Sequence, residues 1–367
     1  MRLRGCRMSA GAGTVRGMAD QPDPGGSAPP PSRSKSGRKQ PGGVPTPHDA
    51  VFRRIFAVPA NAASQLRAVL PPVIAARLDL GRLAPVPGSF VDEALKWRHS
   101  DVLFTAPLDG RDAFVYVLVE HQSSDDPLMA FRVLRYVTRI WDQYERGHPK
   151  ARRLPAVIPL VVYQGDDHWT SPLQLLDVID LSPAAKQEMQ AWLPRFGLLL
   201  DDLTRAGEDQ LLARDLTPAA LVTLRLLQTA PGNPQITVEL RRWSAQLRAV
   251  LDQSGGTEEF AAMLTCIVLV SDAPADDLRD LAASLGPNAK EAYVTTAEML
   301  RAEGATGALV EALIEGLTAK FGPLPDNVPK TVHAASADQI KAWNARAMTA
   351  KTLDDVFAGP QDNSPRP

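Results

Sequence analysis

Between positions 47 and 70 the apolar residues recur at helical spacing. In TPHDAVFRRIFAVPANAASQLRAVL, the residues Val51, Phe52, Ile55 and Phe56 make one face before Pro59 interrupts it, and a second helical piece follows around Ala62 to Leu70. From Phe90 the period shortens. WRHSDVLFTAPLDGRDAFVYVLVEHQ gives two strand-like runs around Asp109-Gly110, a strong turn pair, and so predicts a β-hairpin. Met129, Val133, Val137, Ile140, Trp141 and Tyr144 then return to helical spacing, with Gly147 and Pro149 beyond them, which predicts a long, partly buried helix. Val157 to Tyr163 is a short apolar run of the kind a sheet-interior strand requires. The order helix, strand, strand, helix, strand makes the later helix the crossover that a parallel strand needs.

Further along, the strand signal fades and helices take over. Thr217-Pro218 and Thr257-Glu258 read as N-cap pairs, and VELRRWSAQLRAVL and EEFAAMLTCIVLV carry apolar helical faces. AEGATGALVEALIEGLTAKFGPLP reads as a Gly-broken lead-in followed by a helix closed at Gly322-Pro323, and SADQIKAWNARAMTAKTLDDVF as a final helix or pair. The expected organisation is a basic tail over 1–44, an α/β unit over 45–172, a helical region over 173–290, a small helical domain over 291–358 and a short tail over 359–367.

Composition narrows this picture in three ways. The first 45 residues hold eight Arg or Lys against Asp20 and Asp23, are rich in Gly, Pro and Ser, and cannot bury enough apolar surface to offset their ordering entropy. They lack the apolar core of a secretory signal, and Met8 and Met18 are alternative starts. The formal net charge of −2 speaks against a broad basic surface for nucleic acid while leaving room for a local cleft. Cys6 and Cys266 lie far apart, so neither a disulfide framework nor a zinc cluster is expected, and a reducing cytoplasm is the plain inference. No run approaches the ~18 apolar residues of a membrane-spanning helix.

The hairpin gives the chemistry its starting point. With the turn near Asp109-Gly110, paired positions sum to between 219 and 222, so Asp101 falls opposite residues 118 to 121 and becomes a cross-strand neighbour of Glu120. Two carboxylates so placed repel unless a cation lies between them, and a hard oxygen set suits Mg²⁺, which takes the rest of its shell from water and phosphate. Gln122 shares the side of Glu120 by strand period; as a neutral amide it is able to position water or phosphate but not to act as a strong base. In the plainer alternative, Asp101 and Glu120 are solvated strand ends paired with Arg98, Arg111 or Lys96. Arg132, Arg135 and Arg139 form a basic stripe on the crossover helix, suited either to phosphates or to Asp125, Asp126 and Asp142.

HDAVFRRIF, FVDEALKWRHSDVLF, VYVLVEHQSSDDPLMAFRVLRYVTRIW and VIPLVVYQGDDHW, in that order over residues 47 to 172, together resemble the recombination-promoting nuclease / putative transposase family, a branch of the PD-(D/E)XK nuclease-like superfamily. The resemblance implies an α-β-β-β-α-β restriction-endonuclease-like core with a mixed sheet, ahead of a mostly helical C-terminal region. It implies Mg²⁺- or Mn²⁺-dependent cleavage of DNA phosphodiesters, with Asp101 and Glu120 as metal ligands. Gln122 stands where the wider superfamily has lysine, which departs from the general motif and leaves open which group activates the water. Asp49 matches the family's His-Asp opening and adds an acidic contribution, or else serves as a helix N-cap. Arg132 and Arg135 become DNA contacts; His48 and His121 are read as structural; Gln164 and Gly165 close the site edge, with Trp169 as packing. The expected partner is DNA and not a membrane; the helical C-terminal region, with Ala308 to Lys320 as one candidate face, serves either ordinary domain packing, the default, or a homodimer. The competing expectation is a catalytically inactive nuclease fold used to bind DNA or protein.

Overall fold

The computed structural model describes residues 46–86, 102–120 and 125–358, with side chains throughout except at 118–120. The chain opens with α1 (Pro47–Phe56) and α2 (Pro59–Val69), followed by the short α3 (Pro72–Ala75). Thr46 caps α1 and Pro47 occupies its first turn, where a missing N–H costs nothing. A five-stranded mixed sheet follows: β1 (Ala84–Pro85), β2 (Val102–Leu108), β3 (Arg111–Glu120), β4 (Ala156–Tyr163) and β5 (Leu199–Asp202), in that spatial order. β1, β2 and β3 pair antiparallel; β3, β4 and β5 pair parallel. The crossover between β3 and β4 is α4 (Met129–Gly147).

The hairpin closes in a two-residue turn. Asp109 and Gly110 both have positive φ, 50° and 73°, as a type I′ turn requires, and Leu108 pairs directly with Arg111. Each β2–β3 pair therefore sums to 219, from Leu108↔Arg111 to Val102↔Val117, the low end of the expected window. The central strands are buried on both faces. Phe114 and Tyr116 of β3 and Val161 and Tyr163 of β4 pack under Met129, Val133, Val137 and Ile140 of α4. The alternating Val115, Val117, Leu160 and Val162 join a larger core that includes Phe52, Ile55 and Phe56 of α1 and runs on to Ala292. This two-sided burial explains why β3 and β4 read as unbroken apolar runs. Pro159 is tolerated inside β4 because β5 begins only at the level of Leu160, leaving that side of β4 without a strand neighbour.

β5 is a strand that periodicity does not disclose: Leu199–Asp202 is four residues long, and its parallel pairing to β4 becomes evident only in the folded chain. The short α5 (Leu175–Val178) and α6 (Pro183–Glu188) precede β5 and α7 (Glu208–Leu212) follows it; α8 (Pro218–Thr229) is capped by Thr217 as expected, whereas α11 (Gly256–Val270), which leads to α12 (Ala275–Leu285), starts one residue before Thr257, with Gly255 at φ 78° as its N-cap. A Cβ at Gly256 would lie 1.8 Å from the Val250 carbonyl oxygen, so the close approach of backbone to backbone fixes this start. VELRRWSAQLRAVL is two helices, α9 (Ile236–Arg242) and α10 (Ser244–Leu251), broken at Trp243. The expected Gly-broken lead-in near Gly304 and Gly307 is instead continuous helix: α13 (Pro287–Phe321) spans 35 residues. An interior Gly costs only about 1 kcal/mol relative to Ala, and burial holds both ends of this helix, at Ala289 and Ala292 and again at Val310, Leu313 and Leu317. The last three residues nucleate a separate small core with Val328, Val332, Ile340 and Val356, to which α14 (Asn327–His333), α15 (Ala337–Thr349) and α16 (Leu353–Phe357) contribute; the closing segment from Ser336 is thus a pair, α15 and α16. Among the described residues no helix is long and apolar enough to cross a membrane.

Candidate active site at the carboxyl ends of the parallel strands

Three neighbouring strands end together. Glu120 of β3 pairs with Tyr163 of β4, and Tyr163 pairs with Asp202 of β5, so the three backbones stand in one row across the sheet, spaced by about 4.8 Å per strand. Asp101 and Gln122 lie outside the described residues, as does His121, and Glu120 is described by its backbone alone. The described part of the hairpin brings Val102, the chain neighbour of Asp101, opposite Val117, three residues before Glu120.

Around this row the connecting segments are pinned by carboxylates that sequence reasoning assigned no such role. Asp125, just ahead of α4, accepts hydrogen bonds from the Thr170 amide at 2.7 Å, from the Thr170 hydroxyl and from the Ser171 amide. Burial works against its charged form, but the bonds from Ser171 and Thr170 outweigh it and hold the carboxyl below its ordinary value. Asp202 accepts from the Trp169 amide at 3.1 Å, from the Thr204 amide at 3.1 Å, from the Thr204 hydroxyl at 2.6 Å and from Arg205 Nε at 3.1 Å. Thr204 Oγ1 lies 2.8 Å from His168 Nδ1. Trp169 is buried, donates from Nε1 to the Ser171 carbonyl at 2.6 Å and meets Tyr163 edge to face at 5.0 Å. The segment 168–171 is therefore fixed from both sides of β4. The only local sign of it in sequence is the Asp-Leu-Thr of 202–204, an Asx-type turn.

Tyr163 itself is fully buried. Its hydroxyl is pushed above the ordinary tyrosine value first by burial and then by the negative charge of Asp125, Asp202, Asp167 and Asp166. This end of the sheet is acidic. Gln164, the next residue, has a buried Oε1 without a hydrogen-bond partner among the described residues.

The other expected site residues are placed as follows. Asp49 is the third residue of α1 and reaches back to the Thr46 amide at 3.2 Å while its own amide donates to Thr46 Oγ1 at 3.2 Å. The N-cap is thus Thr46, and Asp49 is the reciprocal partner in a capping box. Arg132 is largely buried and pairs with Asp126 at 2.7 Å, one of the acids weighed for it, whereas Arg135 is exposed on the outer side of α4. No group of three or more metal-ligating His, Cys, Asp or Glu occurs among the described residues.

Comparison with known proteins bears on this geometry. The family model described as "Putative transposase, YhgA-like" matches residues 46–256, which contain the whole sheet and the helices that flank it. The inactive recombination-promoting nuclease-like protein RpnE of Escherichia coli (strain K12) is 30% identical over 277 residues, 71% of this chain and 83% of that protein. The recombination-promoting nuclease RpnA of the same strain is 29% identical over 264 residues, 71% of this chain and 85% of its own. The recombination-promoting nuclease RpnD of Escherichia coli O157:H7 is 39% identical over 120 residues, 33% of this chain and 46% of that protein. No solved structure matches the chain. With more than half of its length matched by one family model, and with relatives covered over most of their own length, the chain belongs to the YhgA-like family of putative transposases.

Proposed function

We propose that this protein is a divalent-metal-dependent DNA endonuclease with a PD-(D/E)XK-type core, hydrolysing phosphodiesters at the carboxyl ends of β3 and β4. The observation that carries the reading is the register of the hairpin. A ladder continued one step past Val102↔Val117 would set Asp101 against position 118 and Glu120 on the diagonal, a relation that spans about 7 to 8 Å between Cα atoms and is within reach of one shared cation. Two carboxylates are hard oxygen donors and fit Mg²⁺ or Mn²⁺. Asp101 and Glu120 would hold the ion, which supplies charge neutralisation and water activation when bound. Gln122 orients water or phosphate. Arg135, exposed on α4, faces substrate phosphates more readily than Arg132, whose guanidinium is committed to Asp126. Both RpnA and RpnD are named as nucleases, which supports nuclease chemistry here. Asp49, occupied in its capping box, is better suited to fixing α1 than to chemistry.

A second reading has its own support: RpnE, similar over 83% of its length, is named inactive, so a non-catalytic module that binds DNA or protein is the alternative. Nicking of supercoiled plasmid separates the two. Asp101→Ala and Glu120→Ala are each expected to abolish Mg²⁺- or Mn²⁺-dependent nicking with melting temperature nearly unchanged, and Mn²⁺ binding measured by calorimetry should vanish in both. Equal nicking by wild type and both variants would sink the assignment.

A further inference from the structure

We infer that His168 is the general base of this site, held in its reactive tautomer by Thr204 and Asp202; the inference rests on the nuclease reading above. Asp202 receives four donors, from Trp169, Thr204 twice and Arg205, and an ionised carboxylate only accepts. The single hydroxyl proton of Thr204 is spent on Asp202 Oδ1 at 2.6 Å, so Thr204 Oγ1 meets His168 Nδ1, 2.8 Å away, with a lone pair. Nδ1 must then carry the ring proton. A neutral imidazole protonated at Nδ1 presents an unprotonated Nε2, and among the described residues nothing bonds to that nitrogen on this exposed ring.

Position agrees with chemistry. Asp202 stands in the same row as Glu120, two strands away, or about 10 Å between backbones. His168 precedes the buried Trp169, and the next two residues are tied to Asp125, only three positions after Gln122 in the chain. An exposed ring is thus carried on a segment fixed at both ends, which is how a reactive group is kept oriented in water. Gln122 has no basicity to offer, and His168 Nε2 would complement the activation of water by the ion.

In the step assigned to it, Nε2 takes a proton from the attacking water as the water oxygen forms its bond to phosphorus. The bridging P–O bond breaks with its electron pair leaving on the sugar oxygen, which is protonated by solvent, and the imidazolium returns its proton to bulk. Thr204 and Asp202 are positioning residues.

Two measurements on the full chain test this. Nitrogen-15 spectra of the histidine rings should show His168 as the Nδ1–H tautomer in wild type and as a tautomer mixture in Thr204→Val; an Nε2–H ring in wild type overturns the inference. In plasmid nicking, His168→Ala should lose about 10²-fold or more in rate, added imidazole should restore it in proportion to its concentration, and Thr204→Val should lose about tenfold. Wild-type rates in His168→Ala while Glu120→Ala is dead would overturn the inference and leave the nuclease reading standing. Loss without imidazole rescue, accompanied by a lowered melting temperature, would mark a purely structural histidine and overturn it too. A wild-type protein that nicks no DNA with Mg²⁺ or Mn²⁺ would overturn both.

Discussion

Asp125 offers the most direct test of how the site end is built. Asp125→Ala removes the acceptor for two backbone amides, Thr170 and Ser171, in a segment that begins at His168. Thr170 is exposed, so water replaces the lost partner there at a cost of about 0.5 to 1 kcal/mol. Ser171 is buried at 9% exposure, and leaving its amide unpaired costs about 1 to 3 kcal/mol. The variant should therefore lose roughly 1.5 to 4 kcal/mol in total, read as a shift in the urea midpoint at unchanged slope. Hydrogen exchange should localise the damage: the amides of Thr170 and Ser171 exchange faster while those of β3 and β4 keep their protection. The depressed carboxyl of Asp125 sets the pH range. Its contribution is fully present above the ordinary aspartate value and is lost as pH falls through the lower folded value, so wild type and Asp125→Ala should converge in strongly acidic solution. A loss below about 0.5 kcal/mol at neutral pH, or exchange rates at Thr170 and Ser171 equal to wild type, would refute the clamp.

Two further outcomes test the fold away from the site. A Cβ built at Gly304 or Gly307 meets nothing within 4 Å, so Gly304→Ala and Gly307→Ala should each stabilise α13 by up to about 1 kcal/mol, and a fall in melting temperature would contradict the continuous helix. Glu259 is buried and accepts from Asn61 Nδ2 at 3.0 Å; burial raises its carboxyl above the ordinary value despite that bond and the charge of Arg54. Because the folded value lies above the unfolded one, the wild-type contribution is best below the unfolded value and declines as pH rises toward the folded one. Glu259→Gln should accordingly melt higher than wild type at pH 7 and lose that advantage below about pH 4, whereas a pH-independent difference would show that burial is not the cause.

The parts legible in sequence are those whose cause is local. Asp109-Gly110 specifies its turn through φ alone, and α4 announces itself because one face of it must cover Phe114, Tyr116 and Val161. The hairpin register followed from the turn to within three residues and is settled at 219 by the two-residue loop. β5 escaped because four residues at a sheet edge carry too little pattern. Asp125 and Asp202 escaped for a different reason. Each works by accepting from amides 45 and 33 residues distant, and an aspartate that caps a remote loop is indistinguishable in sequence from one on a solvated surface. His168 was passed over with them, since its tautomer depends on a threonine 36 residues further on.

That division among the carboxylates changes how the acidic end of the sheet should be understood. Four aspartates raise the Tyr163 hydroxyl, yet Asp125 and Asp202 are already saturated with donors, and the nearby cations are spent as well: Arg132 on Asp126 and Arg205 on Asp202. Among the described residues the row of strand ends therefore presents net negative potential, which disfavours the approach of a phosphodiester. On the proposed reading the divalent ion has two separable effects: it lowers the barrier to hydrolysis, and it reverses the sign of the field that substrate meets. DNA affinity near this site should depend on the ion even where cleavage is blocked, because a bound ion would offset the repulsion between the strand-end carboxylates and phosphate.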